Sequence, residues 1–391
     1  MIRCLRDMVP IGKVVLIALI ARLMAMPFFP MSFPLDTPTY QEAASELMAK
    51  GVMSNDFIMP LYPLLIGVFG GGDRVPMLID LAAGIISVVL VWALARCLFE
   101  DEMTGLVAAL MMAVYPMAIF YSLVGLTESL SVALLLGAFL ALYKNRLTLA
   151  SVIFILLIMT RPAADIFAPV VIFCYVLVIR KAGFLLAMRH LVVYGALYAL
   201  LMAPWWYHNA VKHGSFVRLN FGYGVVLYSG NNPMNMSGGG IGGKDYDLVS
   251  FAGISDPVQK NQALRDAAVE YIRQNPDRFF SLAFLKFARF WRVLPFAPEV
   301  RGSMAAVIAT ISVLPVILLA LMTLLARRRM FWHLTPVLGF VAYLTLVHMV
   351  TIGSVRYRFP LEPLLIVLAA PSLIAARNYL LGRKSCLADQ A

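Results

Sequence analysis

The stretch Val75–Phe99, VPMLIDLAAGIISVVLVWALARCLF, decides the class of fold. It is apolar throughout apart from Asp80 near one end and Arg96 near the other. A helix needs roughly 17–25 such residues to cross the hydrocarbon of a bilayer, and lipid obliges a crossing segment to satisfy its own backbone hydrogen bonds. Similar runs recur on both sides of it: Ile11–Phe29, Thr104–Tyr121, Thr127–Tyr143, Leu147–Thr160, Ile166–Ile179, Leu191–Tyr207, Met304–Ala326, Met330–Thr351 and Pro360–Ala376. Composition agrees, since 61% of the 391 residues are hydrophobic and only 14% are charged, against roughly 25% charged in a soluble domain. The expected fold is an all-α polytopic membrane protein of about ten crossings.

Charge placement sets the topology. Arg3, Arg6 and Lys13 lead into the first run, which reads as an uncleaved signal anchor. With that end inside, Arg96, Lys144, Arg146, Arg180, Lys181, Arg189 and Arg327–Arg329 all fall on the inner face, as do Arg377, Arg383 and Lys384. The short outer turn Tyr121–Leu126 has no basic residue, as the positive-inside rule requires. The net charge of +11 is therefore topological information, and a nucleic-acid partner is unnecessary. Cys4, Cys97, Cys174 and Cys386 form neither a disulfide framework nor a zinc-binding spacing.

Two outer segments, 30–74 and 208–303, are too long to be turns, and they divide the chain into 1–207, 208–303 and 304–391. In the first, Asp36 and Thr37 offer N-caps, Thr39 and Glu42 have capping-box spacing, and Lys50-Gly51 is a stop. The second opens with a glycine-rich stretch, Gly222–Gly243. Helices are expected over Pro257–Gln274 after Asp256 and over Arg278–Leu294 after Asp277. On the last helix Arg278, Lys286, Arg289 and Arg292 share roughly a third of the circumference, opposite Phe279, Phe280, Phe284, Phe287, Phe290 and Trp291. Such a helix lies in the membrane interface, as an anchor or as a cradle for an anionic lipid headgroup.

The chain contains no P-loop and no Gly-x-Ser-x-Gly elbow. Helix parity instead gathers Asp36, Glu128, Arg161, Arg356 and Arg358 at the outer ends of separate segments, with Arg22 and Asp80 in the outer halves of theirs. Singly, each has an ordinary reading. Asp36 can be a cap, Glu128 complements a helix dipole, Arg161 and Arg358 can snorkel, and His348 can be a packed histidine. Their convergence is what anionic substrates and a general base require.

Several strings carry a resemblance: LDTPTYQEAASELMAKG from Leu35, PLYPLLIGVFG from Pro60, TESLSVALLLGAF from Thr127, TRPAADIFAP from Thr160, APWWYHNAVKHGSFVRLNFGYGVVLYSGNNP from Ala203, YIRQNPDRFFSLAFLKFARFW from Tyr271 and RYRFPLEPLLIVLAA from Arg356. In this order the chain resembles the bacterial GT-C membrane glycosyltransferases of the protein O-mannosyltransferase and lipid A aminoarabinose transferase type. The resemblance implies sugar transfer, with inversion, from a polyprenyl-phosphate donor to a lipid, glycan or protein acceptor. It places the active site on the periplasmic face of the bacterial inner membrane. It also implies Asp36 as catalytic base and Glu128 as a second catalytic carboxylate or a ligand to a divalent metal ion. Arg161, Arg356 and Arg358 would hold the donor phosphate, with Tyr40, Tyr62, Asn231, Asn232, Lys286 and Arg289 as further substrate-binding residues. Two departures stand out: His208 replaces the family's arginine in Pro204–Asn209, and Met59 replaces proline before Pro60-Leu61-Tyr62-Pro63. The chain also has no soluble domain after its last run, the expectation for a smaller relative.

Chemistry independent of the resemblance agrees. A polyprenyl phosphate is already a good leaving group, so a single displacement needs one positioned carboxylate and inverts the anomeric carbon. A transporter or flippase is the rival class, but repeated halves with broken helices at the midplane are not evident in the sequence. A lipid-linked glycan polymerase or ligase shares the donor chemistry.

Overall fold

The structure is a computed structural model that describes residues 2–28, 36–240, 249–293 and 304–388. Among these residues the regular structure is entirely helical. Five helical segments are long and apolar enough to cross a membrane: Pro10–Phe28, Val75–Phe99, Phe184–His213, Arg328–Val350 and Val355–Leu380. Five shorter apolar helices, Glu102–Ala113, Thr127–Tyr143, Leu147–Ile158, Phe167–Ile179 and Ile311–Ala326, complete the bundle. Each falls on one of the apolar runs read from the sequence. The chain is a multi-pass membrane protein.

In chain order the helices are α1 (Ile2–Ala25), α2 (Asp36–Lys50), α3 (Leu61–Val68), α4 (Val75–Phe99), α5 (Glu102–Ala113), α6 (Pro116–Tyr121) and α7 (Thr127–Tyr143). Then come α8 (Leu147–Ile158), α9 (Phe167–Cys174), α10 (Phe184–His213), α11 (Gly222–Gly230), α12 (Pro257–Gln274) and α13 (Pro276–Phe290). The last four are α14 (Met304–Ala326), α15 (Phe331–Val350), the single turn α16 (Val355–Arg358) and α17 (Glu362–Ala388). Helix α4 packs against α5 and α7, and α17 against α14. Phe139, Phe154, Phe167 and Phe340 meet edge-on in the core between α7, α8, α9 and α15, a favoured aromatic geometry. Helix α10 is peripheral and exposes Leu185, Val192, Leu200 and Val211 where lipid lies.

Four details differ from the expected elements. The run Thr104–Tyr121 is broken at Val114-Tyr115, because Pro116 removes a donor and disfavours helix in the residue before it. Helix α10 extends beyond Leu191–Tyr207 at both ends, so a boundary at 207 falls within it. The glycine-rich stretch contains α11, whose Gly224 lies so close to α12 that a Cβ would stand 2.2 Å from the Asn261 carbonyl oxygen. Helix α13 starts two residues earlier than expected, with Asp277 in its first turn, while Leu294 lies outside the described residues.

The orientation of α13 is also particular. Lys286, Leu282, Ala283 and Phe290 are buried, whereas Phe280 and Phe284 are each 69% exposed. Its basic stripe faces protein and Phe280, Phe284 and Phe287 point outward, because the lysine finds oxygen acceptors inside and the phenylalanines do not require any. Phe290, four residues after Lys286, is buried on the lysine side and not opposite it as expected.

Candidate active site

The site begins at the N-terminus of α7, where Glu128 in the first turn meets the positive end of the helix dipole. Asp80, buried in α4, accepts the Leu126 N–H at 2.5 Å and lies 3.1 Å from the Tyr62 hydroxyl. These contacts fix α3, α4 and the start of α7 relative to one another. The turn before α7 passes through Gly125 at φ +69°, where a Cβ would stand 2.9 Å from Thr37 Cγ2. The Thr37 hydroxyl lies 3.0 and 3.1 Å from the Val124 and Gly125 carbonyl oxygens. The start of α2 is thus seated on the start of α7, and Asp36 comes beside Glu128.

The third contributor arrives from 355–358. Ser354 caps α16, accepting the Arg356 N–H at 3.3 Å. The Arg356 guanidinium then bridges both carboxylates, donating from Nη1 to Asp36 Oδ2 at 2.5 Å and from Nε to Glu128 Oε1. Arg161 Nη1 lies 2.9 Å from the same Glu128 oxygen. Its backbone is extended, as a residue before proline prefers. The Arg161 guanidinium also lies 5.7 Å from the Tyr357 ring centroid. Tyr357 in turn stacks on His348 at 4.9 Å, and His348 on Phe290 at 5.2 Å, so His348 is a packed residue.

Exposure grades across the cluster: the Glu128 side chain is fully buried, Arg161 and Arg356 are 21% and 28% exposed, and Asp36 is 34% exposed. Glu128 forms the floor and Asp36 the rim. Glu128 Oε2 is buried without a hydrogen-bond partner among the described residues. Tyr40 packs edge-on against Tyr62, 5.2 Å between centroids. Burial, with Glu128 nearby, pushes its phenol up to about 12, so at neutral pH it stays protonated and can donate.

The structure therefore brings together Asp36, Tyr40, Glu128, Arg161 and Arg356. The other sequence candidates stand behind them. Two residues on a helix differ by about 200°, and Arg358 accordingly points away from Arg356. It is buried, paired with Glu362 at 2.8 Å, and donates to the Phe290 and Arg292 carbonyls. Lys286 donates to Asn231 Oδ1 at 3.0 Å and to the Val350 carbonyl at 3.2 Å. Asn232 folds the 231–235 turn by donating to the Tyr228 carbonyl and accepting the Met234 and Asn235 N–H groups. Arg289 reaches toward the Gly353 and Ser237 carbonyls. Lys286, Asn231 and Arg289 grip the 350–354 turn from which Arg356 projects. Tyr62 directs its hydroxyl to Asp80.

His208, where the resemblance leads to an expectation of arginine, accepts the Met53 N–H on Nε2 at 3.0 Å and stacks on Trp205. With Lys212 paired to Asp56 at 2.6 Å, it fastens the two outer segments together. Met59 is buried in the core. A polar group that sequence reasoning missed is Asp165, which pairs with Arg218 at 2.7 Å and accepts the Tyr198 hydroxyl at 2.8 Å. The only signal for it was Asp165 following Arg161-Pro162, and its partners lie far along the chain.

No three His, Cys, Asp or Glu residues cluster as a metal site among the described residues. The two carboxylates at the site are already paired with Arg356 and Arg161. Two guanidiniums against two carboxylates leave no excess negative charge for a dication, so this donor set does not fit a divalent metal as arranged.

No protein-family model matches the chain, and no curated protein matches it significantly. Solved structures do. ArnT from Cupriavidus metallidurans bound to undecaprenyl phosphate superposes with a TM-score of 0.54 at 14% identity, over 93% of this chain and 60% of that one. Archaeal oligosaccharyltransferase AglB from Archaeoglobus fulgidus, in complex with an inhibitory peptide and a dolichol-phosphate, gives 0.57 at 14% identity, over 96% of this chain and 51% of that one. The fold is that of the GT-C glycosyltransferases. The Archaeoglobus fulgidus oligosaccharyltransferase complex with Zn and sulfate matches with a TM-score of 0.56 at 14% identity, over 95% of this chain and 49% of that one. The chain thus spans from about half to three fifths of the length of these structures.

Proposed function

We propose that this GT-C protein is a glycosyltransferase that moves a sugar from a polyprenyl-phosphate donor to an acceptor hydroxyl, with inversion, on the membrane face that carries Asp36. The observation that carries the reading is the Arg356 bridge between Asp36 and Glu128 at the rim of a buried polar cluster. Support comes from two proteins of the same fold whose structures hold undecaprenyl phosphate and dolichol-phosphate.

The donor phosphate enters between Arg161 and Arg356, where guanidinium donors match its oxygens. Drawing Arg356 toward the phosphate leaves the Asp36 carboxylate free to accept a proton. The acceptor oxygen attacks the anomeric carbon as its proton passes to Asp36. The bond from that carbon to the phosphate oxygen breaks, and the polyprenyl phosphate departs with the electron pair. Arginines aimed at the developing phosphate charge stabilise it in a site partly closed to water. Glu128 holds the two arginines in register from below, and Tyr40 offers a hydroxyl donor beside them. Lys286, Asn231 and Arg289 keep the Arg356 turn in place. Lipid, glycan and protein acceptors are all compatible with this chemistry, and the basic far face agrees with a periplasmic site.

The purified protein, incubated with a panel of polyprenyl-phosphate sugars, should consume one or more of them. The Asp36→Asn protein should not. Failure of the wild type to consume or bind any donor in the panel would remove the reading.

A further inference from the structure

A second concentration of unusual residues lies at the opposite end of the bundle, where the transfer reaction has no use for them. Helix α7 starts at Thr127, beside Glu128, and, at 1.5 Å per residue, rises about 25 Å before Lys144, so the turn that follows belongs to the other membrane face. There the start of α8, the turn that follows α9 and the first turns of α10 form an open surface cavity of about 390 Å³, lined by Asn145, Arg146, Thr148, Leu149, Arg180 and His190 among others.

The backbone around it is specially shaped. Asn145 and Lys181 sit in the left-handed region at φ +57° and +50°. Helix α9 runs on into a π turn, Tyr175–Ile179, closed by Arg180 N–H donating to the Tyr175 carbonyl at 2.9 Å. Such wide turns are uncommon and concentrate at functional sites. This one brings the Arg180 guanidinium to the Asn145 side-chain oxygen. Helix α8 begins at the cavity with no side-chain cap on its first N–H groups.

The charge there is uncompensated. Between Lys144 and His190 the one acidic residue is Asp165, in the stretch after Arg161 at the other end of the bundle. Among the described residues no carboxylate pairs with Arg146 or Arg180. Apolar side chains in and next to these segments are exposed: Leu149, which lines the cavity, is 45% exposed, and Val178 47%, Phe184 59% and Leu185 85%. Cations at the level of the membrane surface above exposed apolar side chains match an amphiphile with an anionic head. A purely topological role for these charges requires neither a cavity nor the π turn.

We propose that this cavity binds the phosphate headgroup of an anionic phospholipid in the leaflet opposite the Asp36 site. Arg146, Arg180 and the start of α8 take the phosphodiester, and the acyl chains lie along Leu149, Val178, Phe184 and Leu185. Basic pockets between membrane helices are suited to such headgroups.

The test is retention of phosphatidylglycerol against phosphatidylcholine by the full-length protein in detergent, read by native mass spectrometry. Arg146→Gln with Arg180→Gln should lower phosphatidylglycerol retention by about tenfold or more, the effect expected of lost charge-assisted contacts. Arg328→Gln with Arg329→Gln, which removes the same charge from the same face, should leave it unchanged. Thr148→Trp fills the cavity without changing any charge and should also lower retention, and it decides the matter if the double variant fails to fold. Equal loss in the two arginine pairs, or no loss in any variant, would overturn the proposal. Displacement of the lipid by inorganic phosphate at equal concentration would overturn it too, in favour of a free anion. Transferase turnover enters none of these readouts, so this proposal and the catalytic one fail separately.

Discussion

Replacing Arg356 with glutamine perturbs the point where three segments meet. Arg356 is one of two cations on the fully buried Glu128 and pairs with the partly exposed Asp36. Breaking a buried ion pair costs about 3–5 kcal/mol because the remaining charge is stranded. Arg161 still stands 2.9 Å from the same oxygen, so roughly half of that penalty remains. Asp36, a third exposed, adds at most about 1 kcal/mol because water screens it. Arg356→Gln should therefore lower unfolding stability by about 2–3 kcal/mol, readable by denaturant titration in mixed micelles. Adding Asp36→Asn removes the carboxylate left without a cation, so the double variant should regain up to about 1 kcal/mol, a coupling typical of residues in contact. Donor loss by the Arg356→Gln protein should need a higher donor concentration as well. Additive losses in the two variants would refute the bridge as the organising contact.

Asp36→Asn should reduce turnover by about 10² or more with helix content and membrane insertion retained, and near-normal turnover would sink its assignment as base. Glu128→Gln should abolish activity that a chelator leaves intact; loss of wild-type activity on chelation would instead bring a metal into the site. Burial lowers the Lys286 ammonium from 10.5 to about 7. Between those values the unfolded chain holds a proton that the folded one has released, so stability should rise with pH across that window and flatten above it. Lys286→Met should remove that slope in unfolding midpoints measured from pH 6 to pH 10. Gly353→Ala places a Cβ 2.3 Å from the Lys286 carbonyl oxygen; overpacking of that kind costs about 1–3 kcal/mol and should raise the donor concentration needed for half-maximal rate.

The apolar runs were readable because lipid imposes length and composition on each helix separately, and each run has its counterpart among the helices. The pairing of Asp36 with Glu128 was only partly readable. Parity placed both at the outer face, but their contact depends on Asp80 capping Leu126 and Thr37 fitting over Gly125. Neither contact has a local pattern. Arg356 and Arg358 looked equivalent in sequence, and only the turn of α16 separates them, one to the site and one to Glu362. The basic stripe of α13 was correctly read from helical angles, but its direction was not. An amphipathic pattern says that a helix has two faces, and the acceptors on Asn231 and Val350 decide which one turns inward.

The balance of charge at the outer end has a kinetic consequence. Asp36 and Glu128 offset Arg161 and Arg356, Arg358 is matched by Glu362, and the buried Arg22 of α1 and Asp80 of α4 offset each other formally. A balanced set projects little field beyond the roughly 8–10 Å over which charges act through physiological salt, so it does not steer ions in from the water. A lipid-borne donor must then find the site by lateral diffusion in the leaflet. Encounter should follow the donor's surface density in the membrane and respond weakly to ionic strength, unlike enzymes that collect anionic substrates from bulk solution.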